Sequence, residues 1–318
     1  MIFPGGVWPV MLTPYNDAGE VDYKALRELV DWYIQNGVQG LFAVCQSSEM
    51  FSLDLEERLL VARTVVEAVG GRVPVIASGH VSDLMEEQIH ELNEMVKTGI
   101  DALILITNRL AKEEEGDEVW QQNLDTLLDA IPSAIPLGFY ECPYPYKRLI
   151  SLDHMNACAQ TGRFYFMKDT CCDIDLIKER LKVLKGTKLK LYNANTTTLL
   201  ESLKLGAAGY SGVMANFHPR LYSYICEHAG DAGEPVEFLQ EFLTLASLIE
   251  RQCYPINAKY YLQEFKRLNM TTICRTRDHE LLTMTFKKEI QMLDSLTRRY
   301  EEQYLGGSKT KDRAVPCN

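Results

Sequence analysis

From the start of the chain to about residue 228, short apolar runs alternate with longer stretches in which apolar residues recur every three or four positions. The runs are VWPVML (7 to 12), GLFAV (40 to 44), VPVIAS (73 to 78), ALILIT (102 to 107), IPLGFY (135 to 140), FYFMKD (164 to 169), KLKLYN (188 to 193) and GYSGVM (209 to 214). Their unbroken apolarity fits strands covered on both faces, as in a parallel sheet flanked by helices. Segments such as DYKALRELVDWYIQN (22 to 36), LEERLLVARTVVEAV (55 to 69) and DLMEEQIHELNEMVK (83 to 97) carry the helical period. Gly37, Gly70, Gly99 and Gly206 stand where helices end, and Ser52, Ser82, Ser151 and Asn195 stand as N-caps. The repeated strand-then-helix unit, without a glycine-rich phosphate fingerprint after the first strand, predicts an α/β protein built as a (β/α)₈ TIM barrel. Beyond residue 230 the strand pattern stops. EPVEFLQEFLTLASLIERQ (234 to 252), PINAKYYLQEFKRLN (255 to 269) and EIQMLDSLTRRYEEQY (289 to 304) predict a C-terminal helical appendage. The expected division is a barrel over 1–229, a helical subdomain over 230–305, and a polar, disordered tail over 306–318.

Composition narrows the partners. The 318 residues hold 33 lysines and arginines against 44 acidic residues, a net charge of −11, which disfavours nucleic acid or an anionic membrane surface as a partner. No apolar stretch approaches the roughly 20 residues needed to cross a bilayer. The opening MIFPGGVWPVMLTPY lacks a basic leader, so the expected location is cytoplasmic. Nine cysteines form no CxxC pair, and Cys171-Cys172 lacks histidines at ligand spacing. We therefore expect reduced, structural thiols and no metal.

In a barrel of this kind the reactive groups sit at the C-terminal ends of the strands. The polar residues there include Thr13, the Cys45-Gln46-Ser47-Ser48-Glu49 turn, His80, Thr107, Asn108, Tyr140, Glu141, Lys168, Asp169, Thr170, Asn193, Asn195, Ser211 and Asn216. Lys168 is the only lysine among them. An amine flanked by Phe166 and Met167 has its charged form penalised by desolvation, and a neutral amine attacks ketones. The resulting imine acts as an electron sink for carbon–carbon bond making or breaking without cofactor. Tyr140, at the neighbouring strand end, is placed to pass protons. On position alone, Lys168 is also compatible with a solvated cation or a partner of Asp169, and Tyr140 with a satisfied core phenol. GAAGYSG (206 to 212) fits a tight helix-to-strand turn better than a phosphate loop.

Taken in order, VWPVMLTPYNDAGEVDYKALRELVDWYIQNGVQGLF, GFYECP, FMKDT and LKLGAAGYSGVMANFHP resemble the dihydrodipicolinate synthase and N-acetylneuraminate lyase superfamily of pyruvate-dependent class I aldolases. The resemblance implies that Lys168 forms the imine and Tyr140 relays protons. It implies that Ser47 and Ser48 lie in the turn that holds the pyruvate carboxylate, that Ser211 lines the pocket mainly through its backbone, and that Thr170 suits a hydroxyl-rich substrate. It further implies pyruvate or a related 2-oxo acid plus an aldehyde as substrates, no cofactor beyond the lysine imine, and a homotetramer. The chain departs from that pattern at several points. Cys45 and Ser48 replace turn glycines, and Thr107-Asn108 stands where the synthase has a tyrosine pair. Pro145 occupies the position of the synthase's carboxylate-gripping arginine, with Lys147 and Arg148 as possible substitutes. YNANTTT (192 to 198) lacks the acidic pair of the sialic acid lyases. Glu141 and His80 are candidates to face the second substrate. The activities left open are the synthase reaction itself, a sugar-acid lyase, a hydratase-type reaction on the same imine, and a non-catalytic 2-oxo acid binder.

Overall fold

Eight strands pair in one all-parallel sheet in the computed structural model, which describes residues 3–231 and 234–306. They are β1 (Gly6–Val7), β2 (Leu41–Phe42), β3 (Val75–Ala77), β4 (Ala102–Ile106), β5 (Leu137–Tyr140), β6 (Phe164–Asp169), β7 (Lys190–Asn193) and β8 (Gly209–Tyr210). The order β1-β8-β7-β6-β5-β4-β3-β2 makes every pair from β2 to β8 consecutive in sequence and sets β1 beside β8. Past Val7, the first apolar run meets β2 through a parallel bridge between Val10 and Phe42, with Phe42 N–H donating to Pro9 O and Met11 N–H to Phe42 O, both at 3.0 Å. Strand β1 is shorter than the predicted 7 to 12. Pro9 has no N–H to give to the ladder, so the run continues by this single bridge.

The connecting helices are α1 (Tyr23–Gln35), α2 (Leu55–Val69), α3 (Met85–Val96), α4 (Asp117–Ala130), α5 (Leu152–Gln160), α6 (Ile174–Leu184), α7 (Leu199–Lys204) and α8 (Pro219–His228). Helix α1 buries Ala25, Leu26, Leu29, Val30 and Tyr33, one face at helical spacing, and Asp22 caps it through Lys24 N–H and Ala25 N–H. Helix α2 opens on a capping box between Asp54 and Glu57, two residues beyond the expected Ser52 cap, and closes on Gly70 at φ 55°, a conformation costly for a side chain. Ser82 does not cap α3. Its hydroxyl donates to Glu91 at 3.0 Å instead, and the helix starts after Leu84 without a side-chain cap. Ser151 caps α5 as expected, while Asn195 supports Thr198 N–H one turn before α7.

After β8 come α9 (Glu234–Ala246), a 3₁₀ segment (Ser247–Arg251), α10 (Ile256–Phe265) and α11 (Met284–Leu305). The chain between α10 and α11, 266–283, holds one short 3₁₀ turn, His279–Leu281. It runs back to the loops that follow β1 and β2: Thr271 Oγ1 donates to Tyr15 O at 2.7 Å, and Arg275 grips Glu57 at 2.7 Å and Gly19 O at 3.0 Å. Of the expected tail over 306–318, Gly306 is the C-cap of α11 and 307–318 lie outside the described residues.

Inside the sheet, Trp8, Phe42, Phe166 and Tyr192 form a packed aromatic floor. Phe166 stacks on Tyr192 at 4.2 Å between ring centroids, and Trp8 meets Phe166 edge-on at 5.1 Å. Beside them Gly138 is obligatory for close approach, since a Cβ there would lie 2.6 Å from both Ile104 Cδ1 and Phe166 O.

Candidate active site

Side chains alternate along β6, so Phe166 and Lys168 share one face while Met167 and Asp169 share the other. The β5–β6 register sets Tyr140 directly beside Lys168. Lys168 Nζ lies 4.2 Å over the Tyr140 ring centroid, above the aromatic floor, and the two residues are only 6% and 3% exposed. Burial pushes the Lys168 amine below the usual lysine value, opposed more weakly by Cys45, Cys142, Glu250 and Asp169. No ion pair involves Lys168 among the described residues, so the alternative of an Asp169 partner falls away. Asp169 is bound to Arg180 on the opposite face. The Tyr140 phenol, raised well above its usual value mainly by burial, keeps its proton at neutral pH and lies 3.4 Å from Gln46 Oε1. Cys142 Sγ approaches the same oxygen at 3.6 Å.

The turn after β2 adopts its shape without glycine. Cys45 is extended at φ −154°, Gln46–Ser48 form a 3₁₀ turn, and the one left-handed residue is Glu49 at φ 60°. Ser48 is fully spent inside the turn: its hydroxyl donates to Cys45 O at 2.7 Å and accepts from Cys45 N–H at 2.9 Å. Glu49 is held in place by Lys259 at 3.0 Å, Arg275 N–H at 2.7 Å and Thr276 N–H at 2.9 Å, which offsets the cost of its conformation. The segment beyond α10 therefore holds the turn in place. Ser47 keeps its hydroxyl at the side of Tyr254, whose own hydroxyl accepts from Asn216 Nδ2 at 3.1 Å; Tyr33 completes the chain on Asn216 Oδ1. Ser211 Oγ donates to Trp8 O at 3.0 Å and its N–H to Asn193 O at 2.9 Å, so both of its donors are spent within the fold.

Other candidates are structural. Glu141, one residue past Tyr140, points away from it and accepts from Arg180 at 2.6 and 3.0 Å, Ile150 N–H at 2.9 Å and Thr170 N–H at 3.2 Å. Thr170 Oγ1 donates to Glu141 O at 2.7 Å, so this hydroxyl ties two strand ends together. Lys147 Nζ donates to Thr170 O at 2.7 Å, whereas Arg148 turns outward to Asp117 and the carbonyls of Lys112 and Glu115. Arg148 thus offers no carboxylate clamp. Asn108 is likewise committed, donating to the Cys142 and Tyr144 carbonyls at 2.9 Å.

His80 is wholly buried, with Nδ1 3.0 Å from Gln88 Oε1 and Nε2 accepting Ile106 N–H at 2.6 Å. Burial lowers its pKa to about 4, so it stays neutral in the fold. Between that value and the ordinary 6.5 the unfolded chain binds a proton that the native state refuses, so stability falls as pH falls through this window. Going from pH 7 to pH 5 is expected to remove on the order of 2 kcal/mol through His80. Urea unfolding midpoints of the wild type and of His80→Gln at the two pH values check this, the variant losing less.

Sequence reading names Gln46 only as part of the turn after β2 and misses Tyr254 and Glu250. All lie in or beside 3₁₀ segments, where neither apolar period marks a face. Glu250 is half-buried, and burial raises its carboxyl to about 7 against the opposing pull of Lys168.

A desolvated lysine against a protonated phenol, at the C-terminal ends of eight parallel strands, defines a Schiff-base-forming lyase or aldolase. The dihydrodipicolinate synthetase family model matches residues 3–282. A 4-hydroxy-tetrahydrodipicolinate synthase of Pseudomonas aeruginosa is 29% identical over 262 residues, covering 81% of this chain and 87% of that one. The dihydrodipicolinate synthase of Acinetobacter baumannii, solved with pyruvate, superposes with a TM-score of 0.82 at 24% identity, covering 93% of this chain and 99% of that one. CdNal from Clostridium difficile, solved with mannosamine, gives 0.80 at 18%, covering 92% and 99%. The chain belongs to the dihydrodipicolinate synthetase family, and so to the pyruvate-dependent class I aldolases, enzymes that act through a lysine enamine. Among the described residues no group of three or more His, Cys, Asp or Glu could hold a metal ion, and no helix is long and apolar enough to cross a membrane.

Proposed function

We propose that the chain joins pyruvate to an aldehyde, or releases pyruvate from a 2-oxo acid, on an imine at Lys168. The observation that carries this reading is the amine of Lys168, buried and without an ion pair among the described residues, held 4.2 Å over the Tyr140 ring. The pairing of β1 with β8 and the Val10–Phe42 bridge support a closed (β/α)₈ barrel over 1–229, with the helices of 230–305 joined to it through α9 against α7 and α8. The neutral amine attacks the keto carbon of pyruvate, and water leaves as the imine forms. Loss of a proton from C3 gives the enamine. Its carbon attacks the aldehyde carbon, the aldehyde oxygen takes up a proton, and water releases the product while restoring the amine.

Tyr140 is the group within reach to carry those protons, with Gln46 fixing its hydroxyl. Ser47 and the tyrosine beside it, Tyr254, suit the pyruvate carboxylate. Ser48 supports the same turn from within, Ser211 fastens the end of β8 to Trp8 O, and Thr170 braces the end of β6. No cofactor beyond the imine enters this scheme. A homotetramer acting in the cytoplasm belongs to the same reading.

Borohydride reduction with pyruvate, followed by peptide mapping, tests it. Wild type is expected to retain pyruvate on Lys168 alone. Tyr140→Phe should still be trapped, more slowly, with kcat lowered by about 10² to 10³-fold. Absence of any adduct would sink the proposal.

A further inference from the structure

The turn after β2 is anchored by a part of the chain 210 to 227 residues away. Two residues beyond Ser47, Glu49 takes the left-handed backbone at φ 60° and ψ 34°, a conformation that glycine adopts freely and a side chain resists. Its carboxylate is saturated with donors. Oε1 accepts from Lys259 Nζ at 3.0 Å, and Oε2 accepts from Arg275 N–H at 2.7 Å, Thr276 N–H at 2.9 Å and Thr276 Oγ1 at 2.9 Å. Lys259, on α10, is as buried as its partner, and its ammonium also donates to Ile273 O at 2.7 Å and lies 4.5 Å from the Tyr15 ring centroid.

The anchoring segment is itself pinned to the barrel loops. The Arg275 guanidinium forks onto both Glu57 oxygens at 2.7 Å and reaches the carbonyls of Gly19 and Ser52 at 3.0 Å. Thr13 Oγ1 adds a tie from the loop after β1 to Ser48 O at 2.8 Å. Glu49 is therefore the joint through which the C-terminal segment sets the path of the Gln46–Ser48 turn. Left-handed residues over-determined in this way cluster at ligand clamps.

We infer that Lys259 and Arg275 are positioning residues for the first substrate: through Glu49 they hold the turn in the shape that receives the 2-oxo acid carboxylate, without touching it themselves. This rests on the Lys168 imine and on the reading of the turn given above. An ion pair with a structural role alone would set stability; a positioning pair also sets pyruvate affinity and leaves the chemistry at Lys168 intact. The test follows borohydride trapping against pyruvate concentration, reading the half-saturating concentration and the plateau of adduct on Lys168, with the melting temperature of each protein beside it.

Lys259→Met is expected to raise the half-saturating concentration by about tenfold or more, with the plateau of the folded protein unchanged. Arg275→Ala, whose side chain is 26% exposed and whose loss empties no core, should raise it by about threefold. Glu49→Ala should need about tenfold more pyruvate than Glu49→Gly, because glycine keeps the left-handed backbone after the anchor is gone. Lower melting temperatures with half-saturation within about twofold of wild type, or equal values for Glu49→Ala and Glu49→Gly, overturn the inference. Ser47→Ala separates the failures. If it leaves half-saturation unchanged while adduct still forms, the carboxylate reading of the turn falls and this inference with it, whereas no adduct in wild type brings down the imine reading as well.

Discussion

Lys168→Arg is expected to abolish turnover, lowering kcat by more than about 10⁴-fold, and to leave no pyruvate on the protein after borohydride reduction. A guanidinium keeps its proton at any working pH and presents no lone pair to a ketone. The aromatic floor of Phe166 and Tyr192 lies below the amine and the Tyr140 ring beside it, so the larger head group is also crowded. Lys168→Met separates chemistry from folding. It removes the amine but keeps an unbranched side chain of similar reach, so activity should vanish equally while stability rises by about 0.5 to 2 kcal/mol.

The reason lies in the direction of the wild-type shift. A lysine whose folded pKa is lowered by burial penalises folding in full below that folded value, where both states would be charged. The penalty fades as pH rises toward the ordinary lysine value of about 10.4, because the amine is then neutral in both states. The stabilisation of Lys168→Met should therefore shrink as pH rises from neutral toward the ordinary lysine value of about 10.4. Thermal unfolding of both proteins across that range, beside trapping assays, measures the two effects. An unchanged melting temperature at pH 7 would mean that the wild-type amine is not desolvated.

What the sequence disclosed follows from which features leave a periodic trace. Strand ends do: Tyr140 and Lys168 each close an apolar run, and parallel register then sets them side by side. Alternation along the strand also accounts for Glu141, which the sequence left as a candidate to face the second substrate. One residue beyond Tyr140, it must face the helices, where Arg180 meets it. Short 3₁₀ segments leave no such trace. Glu250 and Tyr254 lie on chain paths that no apolar period describes, and the connection 266–283 returns to the β2 turn through polar contacts to Glu49 and Glu57. The replaced glycines at 45 and 48 suggested a distorted turn, yet neither position needs a left-handed backbone. The left-handed residue is Glu49, whose carboxylate is the anchor. Helix starts were ambiguous for a related reason: Ser82 and Asp54 are both good caps by type, and only the tertiary partner Glu91 draws Ser82 away.

The second large effect belongs to the far face of β6. Arg180, Glu141 and Asp169 are all fully buried, with the guanidinium bound to both Glu141 oxygens, to Asp169 and to Ile150 O at 3.3 Å. Replacing Arg180 by leucine leaves two carboxyls in the interior without a cation, which is expected to cost about 3 to 5 kcal/mol at pH 7.5. Burial already pushes the Glu141 carboxyl upward, with Arg180 the main opposing influence. Without that influence the native variant binds a proton near neutral pH that the unfolded chain, with an ordinary carboxyl, does not. Stability of Arg180→Leu must then rise as pH falls, so its deficit relative to wild type should be smaller at pH 5.5 than at pH 7.5. The buried histidines titrate in both proteins and cancel in that difference. Arg180→Lys should recover only part of the loss, since an ammonium cannot serve two carboxylates through a planar fork. Asp169 adjoins Lys168, so kcat of the folded variant should fall too, with KM for pyruvate rising as the strand end loosens. Urea midpoints at the two pH values decide the energetic claim. A deficit that stays constant with pH would mean that Glu141 remains charged without its partner.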